Sequence, residues 1–185
     1  MRYLFGVLCL LGSLSSSAAE VGGVTFPDRV ELGEGETLVL NGAGMRKKFF
    51  VSVYAAGLYL PEATSDAQAV IAGDEPRQIV MHFVYDGVSR EKITGGWTEG
   101  FRANLDGPGF SAVEADLNAF NDLFEDARED DVYVLTYRPG QGTEVRLNGE
   151  TRGQVGGQAF IRALLSVWLG GQPADPSLKR ALLGR

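Results

Sequence analysis

The chain reads as an α+β protein, a large antiparallel β-sheet with a layer of α-helices packed on one face. Three observations predict this. Short runs rich in β-branched and aromatic residues recur along the chain, separated by glycine-bearing turns. Two segments, Ile93-Trp97-Phe101-Leu105 and Val113-Leu117-Phe120-Phe124, repeat apolar residues every three or four positions, as one face of a helix does. Asn148-Gly149 between two β-type runs is a strong signal for a tight antiparallel hairpin.

Taken in order, the elements begin with a targeting segment. Arg2, an apolar run from Tyr3 to Leu11 and small residues from Gly12 to Ala19 have the layout of a secretory signal peptide, with Ser17 and Ala19 at the small-residue positions before the cut. Residues 1–19 are therefore expected to be removed and residues 20–185 to form one domain, periplasmic or secreted. The run is about half the length a spanning helix needs, so no integral membrane segment is expected after cleavage. The single cysteine, Cys9, goes with the signal, which leaves no thiol for disulfides, nucleophiles or metal sites. The formal net charge of −7 argues against a nucleic-acid partner.

Two or three strands are expected from Val24 to Leu40, with pieces at Arg29–Leu32 and Thr37–Leu40. Asn41-Gly42-Ala43-Gly44 reads as a turn-rich break, and Lys47–Leu60 as one long central strand. Alternation places Phe49, Val51, Val53, Ala55, Gly57 and Tyr59 on one face and Phe50, Ser52, Tyr54, Ala56, Leu58 and Leu60 on the other. Both faces are mostly apolar, so cover is expected on both sides. Pro61 ends the strand; Thr64 or Ser65 caps a short helix through Ala72.

Arg77–Val84 reads as the next strand. Ser89 is the expected N-cap of the helix bearing Trp97. Gly95-Gly96 inside that helix cost about 1 kcal/mol each against alanine, so close packing on the sheet or a bend is expected there. The second helix ends near the acidic run Glu125–Asp131. Val132–Tyr137, Thr143–Leu147 and Glu150–Val155 are strands, joined by Arg138–Gly142 and Asn148-Gly149. A last helical region carries Phe160, Ile161, Leu164, Leu165 and Trp168; Gly170-Gly171 stops it, and Pro176 starts a short terminal helix. No internal repeat or low-complexity linker interrupts the chain.

Three segments together resemble a known family. Leu40-Asn41-Gly42-Ala43-Gly44-Met45-Arg46 followed by Phe50-Val51-Ser52-Val53-Tyr54-Ala55-Ala56-Gly57-Leu58-Tyr59-Leu60 is similar to the hairpin that carries the catalytic arginine of chalcone isomerases, and Trp168-Leu169-Gly170 through Asp175-Pro176-Ser177-Leu178-Lys179-Arg180-Ala181-Leu182 to the end of that fold. The resemblance spans the chain after the signal and is nearest to an exported bacterial chalcone isomerase-like branch. It implies an open-faced sandwich with a ligand cleft between sheet and helices. It puts the substrate-polarising arginine at Arg46, the strand threonine at Tyr54, the helix tyrosine and asparagine at Ile93 and Gly100, and the serine or threonine of the last ligand-facing helix at Val167. Only Arg46 is kept. Oriented donors of that kind contribute several kcal/mol to stabilising developing charge, so chalcone cyclisation is not expected.

Fatty-acid-binding members of the superfamily hold a carboxylate with the matching arginine and a tyrosine on the neighbouring strand. The resemblance implies that role for Arg46 and Tyr54, with Ile93, Trp97, Gly100, Phe101, Leu164, Val167 and Trp168 as cleft walls and an apolar or carboxylate-bearing small molecule as partner. On composition alone, Arg46-Lys47-Lys48 is a solvated hairpin end and Tyr54 a core tyrosine.

Other chemistry finds little support. His82, the only histidine, lies in a predicted strand and reads as a paired structural imidazole; no serine sits in a nucleophile elbow. The carboxylates from Asp122 to Asp131 lack the spacing of a calcium loop and read as a solvated helix end. Gly42-Ala43-Gly44 precedes a strand, not the helix N-terminus that phosphate sites use. No cofactor or metal motif is found. Three functions remain in view: a binder of a fatty acid or similar amphipathic carboxylate, an isomerase or lyase with Arg46 as electrophile and Tyr54 as proton donor, and an interaction module whose cleft is packed core.

Overall fold

The apolar run after Lys48 dictates the centre of the molecule, because a strand apolar on both faces must be covered on both. The computed structural model describes residues 18–33 and 35–185. Among them the strands are β1 Ala19–Val21, β2 Val24–Phe26, β3 Arg29–Gly33, β4 Glu36–Lys48, β5 Val51–Leu60, β6 Arg77–Phe83, β7 Val132–Arg138, β8 Gly142–Leu147 and β9 Glu150–Val155. The helices are α1 Ala67–Ala72, α2 Arg90–Asn104, α3 Gly107–Asn121, α4 Gln158–Leu169 and α5 Pro176–Leu182. Strands β3 to β9 form one antiparallel sheet in sequence order, and β1 with β2 makes a separate small hairpin. The signal-peptide reading falls on residues outside those described, except for its last two; Ala19 opens β1 and pairs with Phe26.

Sheet and helices share one core. Tyr54, Ala56, Leu58, Met81, Phe83 and Leu135 face the buried stripes of α2, α3 and α4, whose Trp97, Phe101, Leu117, Phe120, Leu164 and Trp168 belong to the same cluster. On the opposite face Phe26 of the small hairpin covers β5: a Cβ added to Gly57 would stand 2.6 Å from its ring. The expectation of cover on both faces is met.

Several local expectations are corrected. Asn41-Gly42-Ala43-Gly44 is no turn but the middle of the 13-residue strand β4. Its glycines serve close packing, since a Cβ on Gly42 would stand 2.2 Å from the Ala181 carbonyl oxygen and one on Gly44 2.5 Å from the Ala181 Cβ of α5. Asn41 is the extra residue of a bulge, and its amide donates to the Leu182 carbonyl at 2.7 Å while its oxygen accepts from Thr64 N at 2.6 Å. Lys47–Leu60 is not one strand: β4 ends at Lys48, and Phe49-Phe50 make a turn into β5. The cap of α1 is Asp66, which accepts from Gln68 N and Ala69 N, rather than Thr64 or Ser65. A Cβ added to Gly95 or Gly96 would meet nothing within 4 Å, so close packing does not account for them. Phe124 is buried beyond the end of α3 rather than on it.

The acidic run is not simply solvated. Asp126 accepts from Arg90 N at 2.8 Å, Glu125 pairs with Arg152 at 2.9 Å, and Asp131 accepts from Arg128 N and Asn148 Nδ2. These bonds tie the connection after α3 to the start of α2 and to the β8–β9 hairpin. His82 has the paired imidazole expected of it, 3.1 Å from Asp130.

Candidate functional site

Arg46 and Tyr54 are directly opposite each other across β4 and β5. Cross-strand partners project to the same face, here the one covered by helices. The next pair is Lys47 with Ser52, so Val53 is an extra residue on β5. This bulge breaks the alternation. Val51 and Val53, expected on the face away from Tyr54, line the same cleft as Tyr54.

The cleft has a volume of about 660 Å³ and opens between the β4–β5 end of the sheet and α2, within the roughly 300–1,000 Å³ common for small-molecule sites. Its sheet wall is Val53, Tyr54, Met81 and Phe83; its helix wall is Ile93, Gly96, Trp97 and Gly100 of α2 with Val167 of α4. Arg46, Lys48 and Lys92 bring positive charge, Glu99 the one acidic group of the lining, and Phe49 and Tyr85 stand among the lining residues at the exposed end.

Arg46 is mostly covered, its side chain 18 % exposed, and it does not act alone. Asp175 Oδ2 stands 3.7 Å from Arg46 Nη1, an ion pair too long for a hydrogen bond. The same guanidinium nitrogen donates to the Lys47 carbonyl. Asp175 is the N-cap of α5: its Oδ1 accepts from Ser177 N at 2.8 Å and Leu178 N at 3.1 Å, and its Oδ2 accepts from Lys47 N at 3.0 Å. Burial alone would raise the Asp175 pKa, but these three N–H donors and the Arg46 charge bring it below the usual carboxylate value. Since that carboxylate already satisfies backbone donors and holds Arg46 only at long range, the guanidinium keeps N–H groups for another acceptor.

Tyr54 is buried, and its hydroxyl accepts from the Trp168 indole N–H at 3.1 Å. That bond uses an acceptor position and leaves the phenolic proton to donate. Burial raises the Tyr54 pKa, against lowering contributions from Trp168 and the Arg46 charge. The ring packs on Phe83 with centroids 5.5 Å apart. Trp97 closes the inner end, 5.2 Å from Trp168 and 5.7 Å from Phe120 between centroids. Its indole N–H is buried without a partner among the described residues.

Of the residues expected at the site, Arg46, Tyr54, Ile93, Trp97, Gly100 and Val167 meet around this one cleft. Phe101 and Leu164 do not line it; both are fully buried in the core, with Phe101 against Phe160 at 5.7 Å. Trp168 does not line the cleft; it lies behind Tyr54 and Trp97, in contact with both. Gly100 and Val167 are in contact with each other, for a Cβ on Gly100 would stand 2.8 Å from Val167 Cγ1. The absent polar side chains at these two positions have therefore been replaced by close packing of α2 on α4. Asp175 was missed because only its Asp-Pro helix start is visible in sequence, not its proximity to Arg46. Val51 and Val53 were missed because a bulge carries no sequence mark of its own.

Among the described residues no helix is long and apolar enough to cross a membrane. A family model described as chalcone isomerase-like matches residues 18–184. No curated protein matches the chain. The fold is similar to that in a crystal structure of an Arabidopsis thaliana fatty-acid binding protein, with a TM-score of 0.72 and 21 % sequence identity, over 87 % of this chain and 92 % of that one.

Proposed function

The chain belongs to the chalcone isomerase-like family, and on that premise we propose that it is an exported, non-catalytic binding protein whose cleft takes a fatty acid or similar amphipathic carboxylate. The observation that carries this is the placing of Arg46 opposite Tyr54 on a mostly apolar cleft of about 660 Å³. In this reading the guanidinium and the phenolic hydroxyl hold the carboxylate by charge-assisted hydrogen bonds, and the acyl chain lies along Val53, Met81, Phe83, Ile93 and Trp97. The fatty-acid binding protein of similar fold lends support to the ligand class, and the signal-like first residues to export.

An isomerase or lyase fits less well. Ile93, Gly100 and Val167 bring no hydrogen-bonding side chain to the cleft, Asp175 offsets part of the Arg46 charge, and a phenol whose pKa is raised by burial is a poor proton donor at neutral pH. A module with a filled core fits less well too, because the space beside Arg46 is open.

The test is a titration of delipidated protein with palmitate, read by tryptophan fluorescence; both tryptophans lie at or beside the cleft. Saturable binding is expected, weakened about 10- to 100-fold by Arg46→Ala, the range for losing a charge-assisted hydrogen bond in a partly buried site. Absence of saturable binding by the wild-type protein would remove the proposal.

A further inference from the structure

The large apolar side chains that reach into solvent are gathered at one place. Phe50 is fully exposed, Phe49 is 88 % exposed, and Val51 and Tyr85 are 40 % and 46 % exposed; among the described residues these are the strongly exposed large apolar side chains. Phe49, Val51 and Tyr85 line the mouth of the cleft, and Phe50 sits between two of them in the turn. Single exposed apolar residues are ordinary, but a cluster at one mouth marks a surface that meets something.

Phe49 is unfavourable on a second count. It adopts φ 56°, a left-handed conformation that costs a bulky L-residue and suits glycine or asparagine. The β8–β9 turn has the favoured residues, Asn148 and Gly149, at φ 52° and 85°. A phenylalanine that is strained in the turn and bare to solvent gains nothing from the fold, which points to a role outside it.

Charge indicates the partner. Although the whole chain carries −7, Lys47 and Lys48 adjoin the two phenylalanines and Lys92 stands at the same mouth. All three are exposed, and their ammonium groups have no partner among the described residues. The nearby carboxylates are Asp86, Glu91 and Glu99, set along the Tyr85 loop and α2 rather than at the turn, and Asp175, which is engaged by Arg46, Lys47 N and the first turn of α5. A two-residue aromatic tip is small beside the ~800 Å² per partner of a stable protein interface. It suits the boundary of a bilayer, where aromatic rings settle at headgroup depth and lysines meet anionic lipid.

We propose that the β4–β5 tip is a lipid-docking element: Phe49 and Phe50 enter the surface of an anionic bilayer, Lys47, Lys48 and Lys92 contact its phosphates, and the cleft mouth faces the membrane. This goes beyond ligand binding and does not rest on Arg46 or Tyr54.

The experiment is vesicle co-sedimentation with delipidated protein and no added fatty acid, so that the outcome does not depend on what the cleft holds. Vesicles of phosphatidylcholine alone are compared with two parts phosphatidylcholine to one part phosphatidylglycerol. Wild-type protein is expected to bind the anionic vesicles and to release as salt is raised. Phe49→Asn with Phe50→Ser, substitutions that the exposed turn accepts, should weaken binding about tenfold or more. Lys47→Glu with Lys48→Glu should erase the preference for anionic vesicles, with unchanged circular dichroism and Tm confirming the fold. No sedimentation of the wild-type protein, equal binding by the phenylalanine variant, or a wild-type dimer that the phenylalanine variant abolishes would each overturn the proposal.

Discussion

Arg46 faces two claims on its charge, from Asp175 and from the carboxylate we propose as ligand. Asp175 stands 3.7 Å away and is held ionised by backbone N–H groups as well as by Arg46. A ligand carboxylate entering beside it is attracted by Arg46 and repelled by Asp175. Asp175→Asn removes the repulsion while its Oδ1 can still cap α5 through Ser177 N and Leu178 N; the bond from Lys47 N is lost. Palmitate affinity is therefore expected to rise about three- to tenfold, as for a like charge at this range near a protein surface. A fall measured by the same fluorescence titration would mean that Asp175 orients Arg46 for the ligand rather than opposing it. Tyr54 has the complementary position: its hydroxyl is fixed by Trp168 and stays protonated, a donor rather than an acid.

At the level of elements, the site is shaped by where helices approach. Gly100 lets α2 close on Val167 of α4, so Gly100→Ala must push Val167 aside and is expected to cost about 1–3 kcal/mol, the range for overpacking. Adding Val167→Ala should recover part of that loss. Gly95→Ala and Gly96→Ala meet nothing and should each stabilise by about 0.5–1 kcal/mol. Urea unfolding of the four proteins decides; equal effects at Gly95 and Gly100 would contradict the packing account. The same contacts explain which elements were legible in sequence. Apolar patterning and turn chemistry are local signals: the first located α2, α3 and β6, the second the Asn148-Gly149 hairpin. Gly42 and Gly44 looked like a turn because their reason, the close approach of α5, lies far along the chain. Phe49-Phe50 looked like strand because neither is a turn former, and the bulge at Val53 hid which side chains face the cleft. Arg46 and Tyr54 were legible only through family resemblance; Asp175, joined to them by tertiary contact, was not.

The molecule as a whole joins one antiparallel sheet to a helix layer around a core rich in buried tyrosine. Burial, first of all, raises the pKa of Tyr54, Tyr59, Tyr133 and Tyr137, to about 12 for Tyr59 and Tyr137. Their folded pKa values exceed the unfolded value near 10, so the stability they confer is complete below that pH and is lost as pH rises toward their folded values. Phenolate absorbance from these rings is expected only together with loss of near-ultraviolet circular dichroism; ionisation near pH 10 with the signal intact would contradict their burial. What the same architecture does for the proposed function is to leave a mostly apolar space between its layers with Arg46 and Tyr54 paired at its side, the pair on which the proposed preference for a carboxylate over an uncharged head rests. The most direct measurement is the palmitate titration of wild-type and Arg46→Ala protein repeated with 1-hexadecanol. We expect the wild-type protein to favour palmitate and the variant to lose that preference while still binding the alcohol. Equal affinity of both proteins for palmitate would contradict the account.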